Sequence, residues 1–302
     1  MRSHFTSLVE VLDPRAQAVL RSNSANTSYA VLEGAPSIPP FRLSDQALTH
    51  LAASRLCAPQ PVASGLPGVC DCTTSTLTPI DEGHHLQFCR RGPAGTGPIA
   101  THNRVRDLFG AMARATGMTV VTEERHLLRF VERSYSRPAD LSVTTASGRR
   151  WCIDVGVTDC RGRGGAAMGR AVAADAYAAS KASAVHVVRD TGERITIVEA
   201  ARRINMEYRA VVIEAPGALG QVARDTFDSF SRHAHLTRGV HVEAFKIHWR
   251  RRLSSTLARA LAEAAAMRGR ALDAVRLGEQ RGYLPLGGHA LNEADYGTFP
   301  VR

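Results

Sequence analysis

The fold is decided by residues 137–157, which read RPADLSVTTASGRRWCIDVGV. Two strand-like runs in this stretch are separated by turn residues at 146–149, and this pattern predicts a β-hairpin. Asp140 opens the first strand, and Asp154 lies inside the second, which is otherwise apolar. A carboxylate in a buried strand is costly unless it is paired or binds a metal. We therefore expect the hairpin to bring both carboxylates to one Mg²⁺, with room for water and a phosphate oxygen.

The patterns around this hairpin predict an α/β fold, with a mixed central sheet flanked by helices. An amphipathic helix begins at Thr101 and ends at Gly117. The other predicted elements are strands at 119–122 and 209–214, an alanine-rich helix at 166–184, a helix at 217–233 and a long helix at 247–276. We divide the chain into a helical N-terminal region at 1–69, a zinc knuckle at 70–91, the α/β domain at 101–235 and a basic C-terminal helix at 246–281, with a linker at 92–98. A helix at 43–56, capped by Ser44, is expected in the N-terminal region.

The segment before the linker carries a predicted metal site. Cys70 and Cys72 are followed by His84, His85 and Cys89. Three thiols and one imidazole can close a tetrahedral zinc site, and structural Zn²⁺ stabilises a segment too short to have its own core. We take His84 as the fourth ligand, with His85 as the alternative. The competing interpretation is that free cysteines and loop histidines lie close together by chance.

Charge along the chain indicates a polyanionic partner. The net charge is +10, and residues 1–100 hold seven Arg against seven Asp and Glu, so the whole excess lies in residues 101–302. This asymmetry favours nucleic acid as the partner. Arg250, Arg251 and Arg252 begin the basic helix, and we expect them to bind nucleic-acid phosphates. No stretch approaches the ~18 consecutive apolar residues of a membrane helix, so we expect an intracellular protein without membrane contact.

The order of the motifs resembles one known family. The motifs are Cys70-x-Cys72, His84 and Cys89, then THNRVRD at 101–107, RPADL at 137–141, IDV at 153–155, VVIE at 211–214, GALG at 217–220 and RRLS at 251–254. Over about residues 40–265 the chain is similar to the C-terminal region of non-LTR retrotransposon reverse transcriptase polyproteins. That region has a zinc knuckle followed by a restriction-enzyme-like endonuclease of the PD-(D/E)xK type.

The resemblance implies a restriction-endonuclease-like core and a nuclear, Mg²⁺-dependent hydrolase that nicks target DNA. The exposed 3′ end would then prime reverse transcription of the element's RNA. Cys70, Cys72, His84 and Cys89 would be the knuckle ligands, and Asp140 and Asp154 the metal-binding acids. The polymerase's Tyr-x-Asp-Asp loop is absent from this sequence. We therefore expect a separate reverse transcriptase chain as a partner, together with the DNA target and the element RNA.

One catalytic residue departs from the pattern of the family. Its lysine usually stands two residues after the second acid, where this chain has Gly156. Lys181, on the following helix, could supply the same charge, and Arg203 is a weaker substitute. For Lys181 the competing interpretation is a solvated helix residue. Glu123, or the adjacent Glu124, is the candidate third carboxylate.

Three functions are compatible with this sequence. The first is the metal-dependent DNA endonuclease. The second is a nucleic-acid-binding module whose nuclease has decayed, which Gly156 and the missing polymerase loop favour. The third is a structural α/β protein, against which the charge asymmetry argues. The first two are distinguished by whether Asp140, Asp154 and a basic side chain converge in space.

Overall fold

The order of helices and strands is mixed along the chain. The described residues of the computed structural model are 12–24, 30–33, 38–66, 68–70, 72, 78–79, 81–89, 97–132, 139–160 and 172–276. Their helices are α1 (Pro14–Asn23), α2 (Asp45–Leu56), α3 (Pro98–Ala115), α4 (Val172–Ala182), α5 (Ile197–Arg203), α6 (Gln221–Arg238) and α7 (Val242–Arg276). Their strands are β1 (Val69–Cys70), β2 (Thr78–Pro79), β3 (Thr119–Thr122), β4 (Leu141–Thr144), β5 (Arg150–Thr158), β6 (Val185–Val187), β7 (Arg194–Thr196) and β8 (Glu207–Glu214). Parts of the predicted hairpin, linker, alanine-rich helix and basic helix, at 137–138, 92–96, 166–171 and 277–281, lie outside the described residues.

The central sheet has four strands in the order β3-β4-β5-β8. Its first three strands are antiparallel, and β8 runs parallel to β5. The predicted hairpin is therefore confirmed as β4 and β5, and the sheet is mixed, as expected. Gly148 adopts a φ of 80° in the connecting turn, a conformation that glycine reaches without steric cost. Because β5 and β8 are parallel, the chain between them crosses over through α4, β6, β7 and α5.

The two faces of β5 have different neighbours, since successive side chains of a strand alternate. Trp151, Ile153 and Val155 join the main core together with side chains of α3, α6 and α7. Cys152 lies on the other face, where it packs with Met206 beside α5. Asp154 shares the face of Cys152, so the register places it on the side of α4 and α5.

The basic C-terminal helix is a central element of the fold. The 35-residue α7 packs against α2, α3, α6 and the 3₁₀ helix Asp81–Gln87. Most of its side chains from Arg252 to Ala266 are buried. A helix that is buried on nearly all sides is typical of the centre of a protein. α7 therefore joins the N-terminal region to the sheet layer.

The sequence patterns missed a small hairpin and one short helix. β6 and β7 pair antiparallel, and α5 follows with a capping box in which Thr196 and Glu199 exchange hydrogen bonds. Among the helices that the structure describes, none is long and apolar enough to cross a membrane.

Candidate functional site: an aspartate pair and a cysteine–histidine cluster

The two predicted aspartates lie opposite each other on neighbouring strands. Leu141 of β4 pairs with Ile153 of β5, so Asp140, one residue earlier, stands across from Asp154. The N–H of Asp140 donates to the carbonyl oxygen of Ile153 at 2.9 Å, which extends the ladder beyond the end of β4. Directly opposed residues share one face of a sheet. Both carboxyl groups therefore lie on the α4 side.

Asp140 is held as an ionised carboxylate. Its Oδ2 accepts the N–H of Val155 at 2.6 Å, and its Oδ1 lies 3.0 Å from Nε2 of His102 on α3. Burial by itself would raise the pKa of Asp140. The hydrogen bond and charge of His102, with the bond from Val155, outweigh burial and lower that pKa.

Asp154 binds the predicted lysine. Nζ of Lys181 lies 2.7 Å from Oδ1 and 2.9 Å from Oδ2 of Asp154. The hydroxyl of Tyr208 on β8 donates to the same Oδ2 at 2.9 Å. Burial raises the pKa of Asp154 and the negative charge of Asp140 adds to it, and together they exceed the opposing effect of Lys181. The carboxyls interact directly, because Asp154 also acts on Asp140 as a hydrogen-bond partner.

The missing side chain of Gly156 leaves room for Lys181. A Cβ added to Gly156 would lie 3.4 Å from Cε of Lys181 and 3.0 Å from Cε1 of Tyr177. Glycine therefore lets α4 pack closely on β5, and this close packing delivers the ammonium group to Asp154. Although burial alone would lower the pKa of Lys181, the charge of Asp154 raises it, so the ammonium stays charged.

The N-terminus of α4 is anchored to β8. The buried carboxylate of Glu214 accepts the N–H groups of Ala173 and Ala174 at 3.1 and 3.4 Å. A carboxylate is favourable there, since the first N–H groups of a helix have no partner within the helix. Burial raises the pKa of Glu214, and a hydrogen bond from Ser22 opposes that rise. Glu214 thereby fixes the helix that carries Lys181.

The other acidic and basic candidates have different surroundings. The carboxylate of Glu123 pairs with Arg106 of α3, while its N–H donates to the carbonyl oxygen of Asp140 at 2.8 Å. The structure thus joins Glu123 to the site through its backbone. The charge of Glu124 acts on the buried thiol of Cys152. Burial is the main cause that raises the pKa of this thiol to about 12, and the negative charges of Asp154, Glu124 and Asp140 add to the rise. Arg203 pairs with Glu193 at 2.6 Å at the surface, away from the aspartates.

Sequence reasoning missed two residues of this site, His102 and Tyr208. In the β5–β8 register Asp154 pairs with Ala210, and Tyr208 stands two residues before Ala210 on the same strand. A tyrosine on the face of the aspartates could have been found once that register was known. His102 lies in the THNRVRD motif at 101–107, but sequence reasoning assigned it no role at the site, because its contact with Asp140 depends on how α3 packs across the sheet.

A second cluster joins three cysteines and one histidine. The ligand atoms of Cys70, Cys72, His85 and Cys89 all lie within 4.8 Å of one another. Sγ of Cys70 is 3.6 Å from that of Cys89, and Sγ of Cys72 is 3.3 Å from Nε2 of His85. This set could bind zinc, since three thiolates and an imidazole complete a tetrahedral site. The predicted thiol ligands are thus together.

The histidine of the cluster is His85, which corrects the choice of His84. Nδ1 of His84 lies 3.4 Å from Nε2 of Gln60, and its side chain is buried away from the thiols. The two histidines are adjacent in the short 3₁₀ helix and point in different directions, a distinction that spacing could not make. Arg268 of α7 donates to Sγ of Cys70 at 3.1 Å. Burial would raise the pKa of this thiol, but the bonds from Arg268 and Cys89 lower it and favour the thiolate.

The three arginines at the start of the basic helix are not a free cationic patch. Arg252 is only 7% exposed, and its guanidinium lies 5.2 Å from the ring centre of Trp249. Arg251 lies 4.0 Å from Glu33, and Arg250 is half-buried. Little of the Arg252 side chain is therefore left for a phosphate contact, and phosphate binding by Arg250 and Arg251 stays a prediction.

The aspartate pair can hold a cation and present a phosphate oxygen to an ammonium group. Paired carboxylates offer oxygen ligands of the kind that Mg²⁺ prefers, and their mutual repulsion is relieved by a bound cation. Lys181 supplies a further positive charge at the same place. The chain was compared with models of protein families and with curated protein sequences, and neither comparison found a match.

Proposed function

We propose that this protein is a Mg²⁺-dependent DNA endonuclease with a restriction-endonuclease-like core, derived from a non-LTR retrotransposon protein. The observation that carries the proposal is the meeting of Asp140, Asp154 and Lys181 on one face of the β4–β5 hairpin. The lysine comes from the neighbouring helix α4, whereas both acids lie on the hairpin strands, where the motif of the resembled family has them. The reaction is hydrolysis of a phosphodiester bond, which leaves a nick in the target DNA.

Asp140 and Asp154 would hold the Mg²⁺, and the donor set fits because both groups are half-buried carboxyls on one face of the hairpin. Bound Mg²⁺ would supply charge neutralisation and lower the pKa of a nearby water. His102 and the N–H of Val155 fix the orientation of Asp140. Tyr208 does the same for Asp154. Such supporting hydrogen bonds orient ligands and reduce the reorganisation needed during reaction.

Lys181 has the role of a cationic partner for the reacting phosphate. Its charged Nζ contacts both carboxyl oxygens of Asp154, and its side chain is 21% exposed. From there it can donate a hydrogen bond to a non-bridging phosphate oxygen and stabilise the negative charge that develops in the transition state. The alternative function, a decayed binding module, drew support from Gly156. Lys181 removes that support, since a basic side chain is present beside the acids.

The cysteine–histidine cluster is proposed to hold structural Zn²⁺ that closes the knuckle. Its four side chains form a closed set with no further ligand required, as in structural rather than catalytic zinc sites. Partners of the proposed enzyme are the DNA target, the element RNA and a separate reverse transcriptase chain, and its proposed location is the nucleus.

The nuclease proposal is tested by plasmid nicking. The full chain should convert supercoiled plasmid to the nicked form when Mg²⁺ is present and fail when EDTA is added. Asp154→Asn and Lys181→Ala should each reduce the rate by at least about 100-fold, in keeping with the loss of one strong electrostatic contact in a transition state. The matched control is Asp228→Asn, which breaks the aspartate–lysine pair with Lys246 on α6 and α7.

The control should nick at the wild-type rate. Equal rates for Asp154→Asn and Asp228→Asn would contradict the proposal, because contaminating nuclease would then account for the nicking. Absence of nicking by the wild-type chain with Mg²⁺ or Mn²⁺, together with retained DNA binding, would instead favour the binding module.

A further inference from the structure

A polar groove lies at the end of the sheet where strands β5 and β8 begin. Its volume is about 580 Å³, and it lies between the β4–β5 turn and the connection from α5 to β8. Three arginines line it, Arg149, Arg150 and Arg202. Arg149 and Arg202 are exposed, and Arg150 is half-buried. We call this feature the arginine groove.

The arginine groove carries an excess of positive charge. Among its described lining residues one carboxylate is present, that of Glu207. Arg209 engages this carboxylate at 2.8 Å and stacks over Trp151 at 4.1 Å. No other carboxylate among the described lining residues therefore balances the positive charges of the three groove arginines. A concave surface of this kind concentrates anions, and guanidinium groups match the geometry of phosphate.

The arginine groove and the aspartate pair share one residue, Tyr208. Tyr208 lines the groove, and its hydroxyl donates to Asp154. Arg150 and Asp154 lie on the same strand four residues apart, so they share one face. At about 3.3 Å per residue, their separation along β5 is about 13 Å. Because the backbone of a DNA strand also winds around the helix axis, successive phosphates lie farther apart than the axial rise of about 3.4 Å, and this distance spans only a few nucleotides.

We propose that the arginine groove binds backbone phosphates of duplex DNA, a few nucleotides from the phosphate held at the aspartate pair. This inference rests on the proposed function, since it takes DNA as the substrate of that site. Contacts of this kind position the duplex without reading its sequence. The groove would thus set the path of the DNA across this end of the sheet and hold the scissile phosphate against Asp140 and Asp154.

The test is DNA binding by a charge-neutralised groove. The variant Arg149→Ser/Arg150→Ser/Arg202→Ser is compared with Arg194→Ser/Arg232→Ser/Arg270→Ser, which removes three exposed arginines from β7, α6 and α7. Affinity for two unrelated duplex oligonucleotides is measured without added Mg²⁺ over a range of salt concentrations. The groove variant should bind about tenfold or more weakly on both sequences. The slope of log affinity against log salt should become shallower by about 0.9 for each lost phosphate contact.

A second variant tests whether the loss of DNA affinity comes from the lost charges or from misfolding. Arg149→Lys/Arg150→Lys/Arg202→Lys keeps the charges and should retain most of the affinity and the salt slope. Equal affinities for the serine groove variant and its control would overturn the inference, as would a loss of affinity confined to RNA. If the wild-type chain fails to nick but the groove variant still loses DNA affinity, the nuclease proposal fails and the groove assignment stands. If the wild type nicks but both serine variants bind DNA equally, the groove assignment fails and the nuclease proposal stands.

Discussion

At the scale of single residues, protonation of the aspartate pair makes stability depend on pH. The pKa of Asp154 is raised, so the folded chain keeps this proton to a higher pH than the unfolded chain does. Its contribution to the free energy of unfolding is therefore lost as the pH rises from the ordinary aspartate pKa of about 3.9 through the raised value. Asp140 has the opposite sign, because its lowered pKa adds stability above the ordinary value and loses it as the pH falls.

We predict that Asp154→Asn gains stability relative to the wild type as the pH rises from about 4 to 7, since it lacks a carboxyl whose ionisation opposes folding. Urea unfolding without added Mg²⁺ at several pH values measures this difference. Asp228→Asn serves as the comparison, because its carboxylate pairs with Lys246 outside the site. The assignment of the raised pKa to Asp154 is wrong if both variants differ from the wild type by the same amount at every pH.

At the scale of elements, the contact between α4 and β5 decides where Lys181 lies. We predict that Gly156→Ala destabilises the chain by about 1–3 kcal/mol, the usual cost of overpacking. The added Cβ would meet Tyr177 at 3.0 Å, Val212 at 3.3 Å and Lys181 at 3.4 Å. Nicking should fall as well, because α4 must move away from Asp154. Gly68→Ala is the control, since a Cβ there meets nothing within 4 Å. Wild-type stability and nicking in Gly156→Ala would show that close packing is not required.

Much of the element order follows from the sequence, and the exceptions have physical causes. The bounds of β3 were predicted as observed, and β4, β5 and β8 were placed within a few residues, because their apolar or alternating runs are long enough to show a period. β6 and β7 have three residues each, which is too short for a pattern to emerge. The pairing of Asp140 with Asp154 followed from the hairpin. The contacts of His102 and Tyr208 did not, because they depend on packing between elements distant in sequence.

At the scale of the whole molecule, the cysteine–histidine cluster connects the segment before residue 90 to α7. Leu86 and the buried cysteines pack against Ala265 and Leu272, and Arg268 donates to Cys70. We predict about one zinc per purified chain, as expected for a four-ligand structural site. His85→Ala should lose the metal and lower the melting temperature, whereas His84→Ala should keep it. Metal analysis and thermal unfolding check both variants. Equal zinc contents in the two would contradict the choice of His85.

The central position of α7 has a consequence for the order of folding. The N–H of Val31 donates to the hydroxyl of Ser254, 223 residues later in the chain, and Arg259 donates to the carbonyl oxygen of Pro40 at 3.1 Å. The entropy of closing so long a loop must be lost before such contacts stabilise anything. During synthesis the N-terminal region therefore has to wait for α7 before it can bury its apolar side chains, since Ser254 is made 223 residues after Val31. Until α7 leaves the ribosome, those side chains stay exposed to other chains. The nascent protein therefore depends on chaperones or on rapid folding to avoid aggregation.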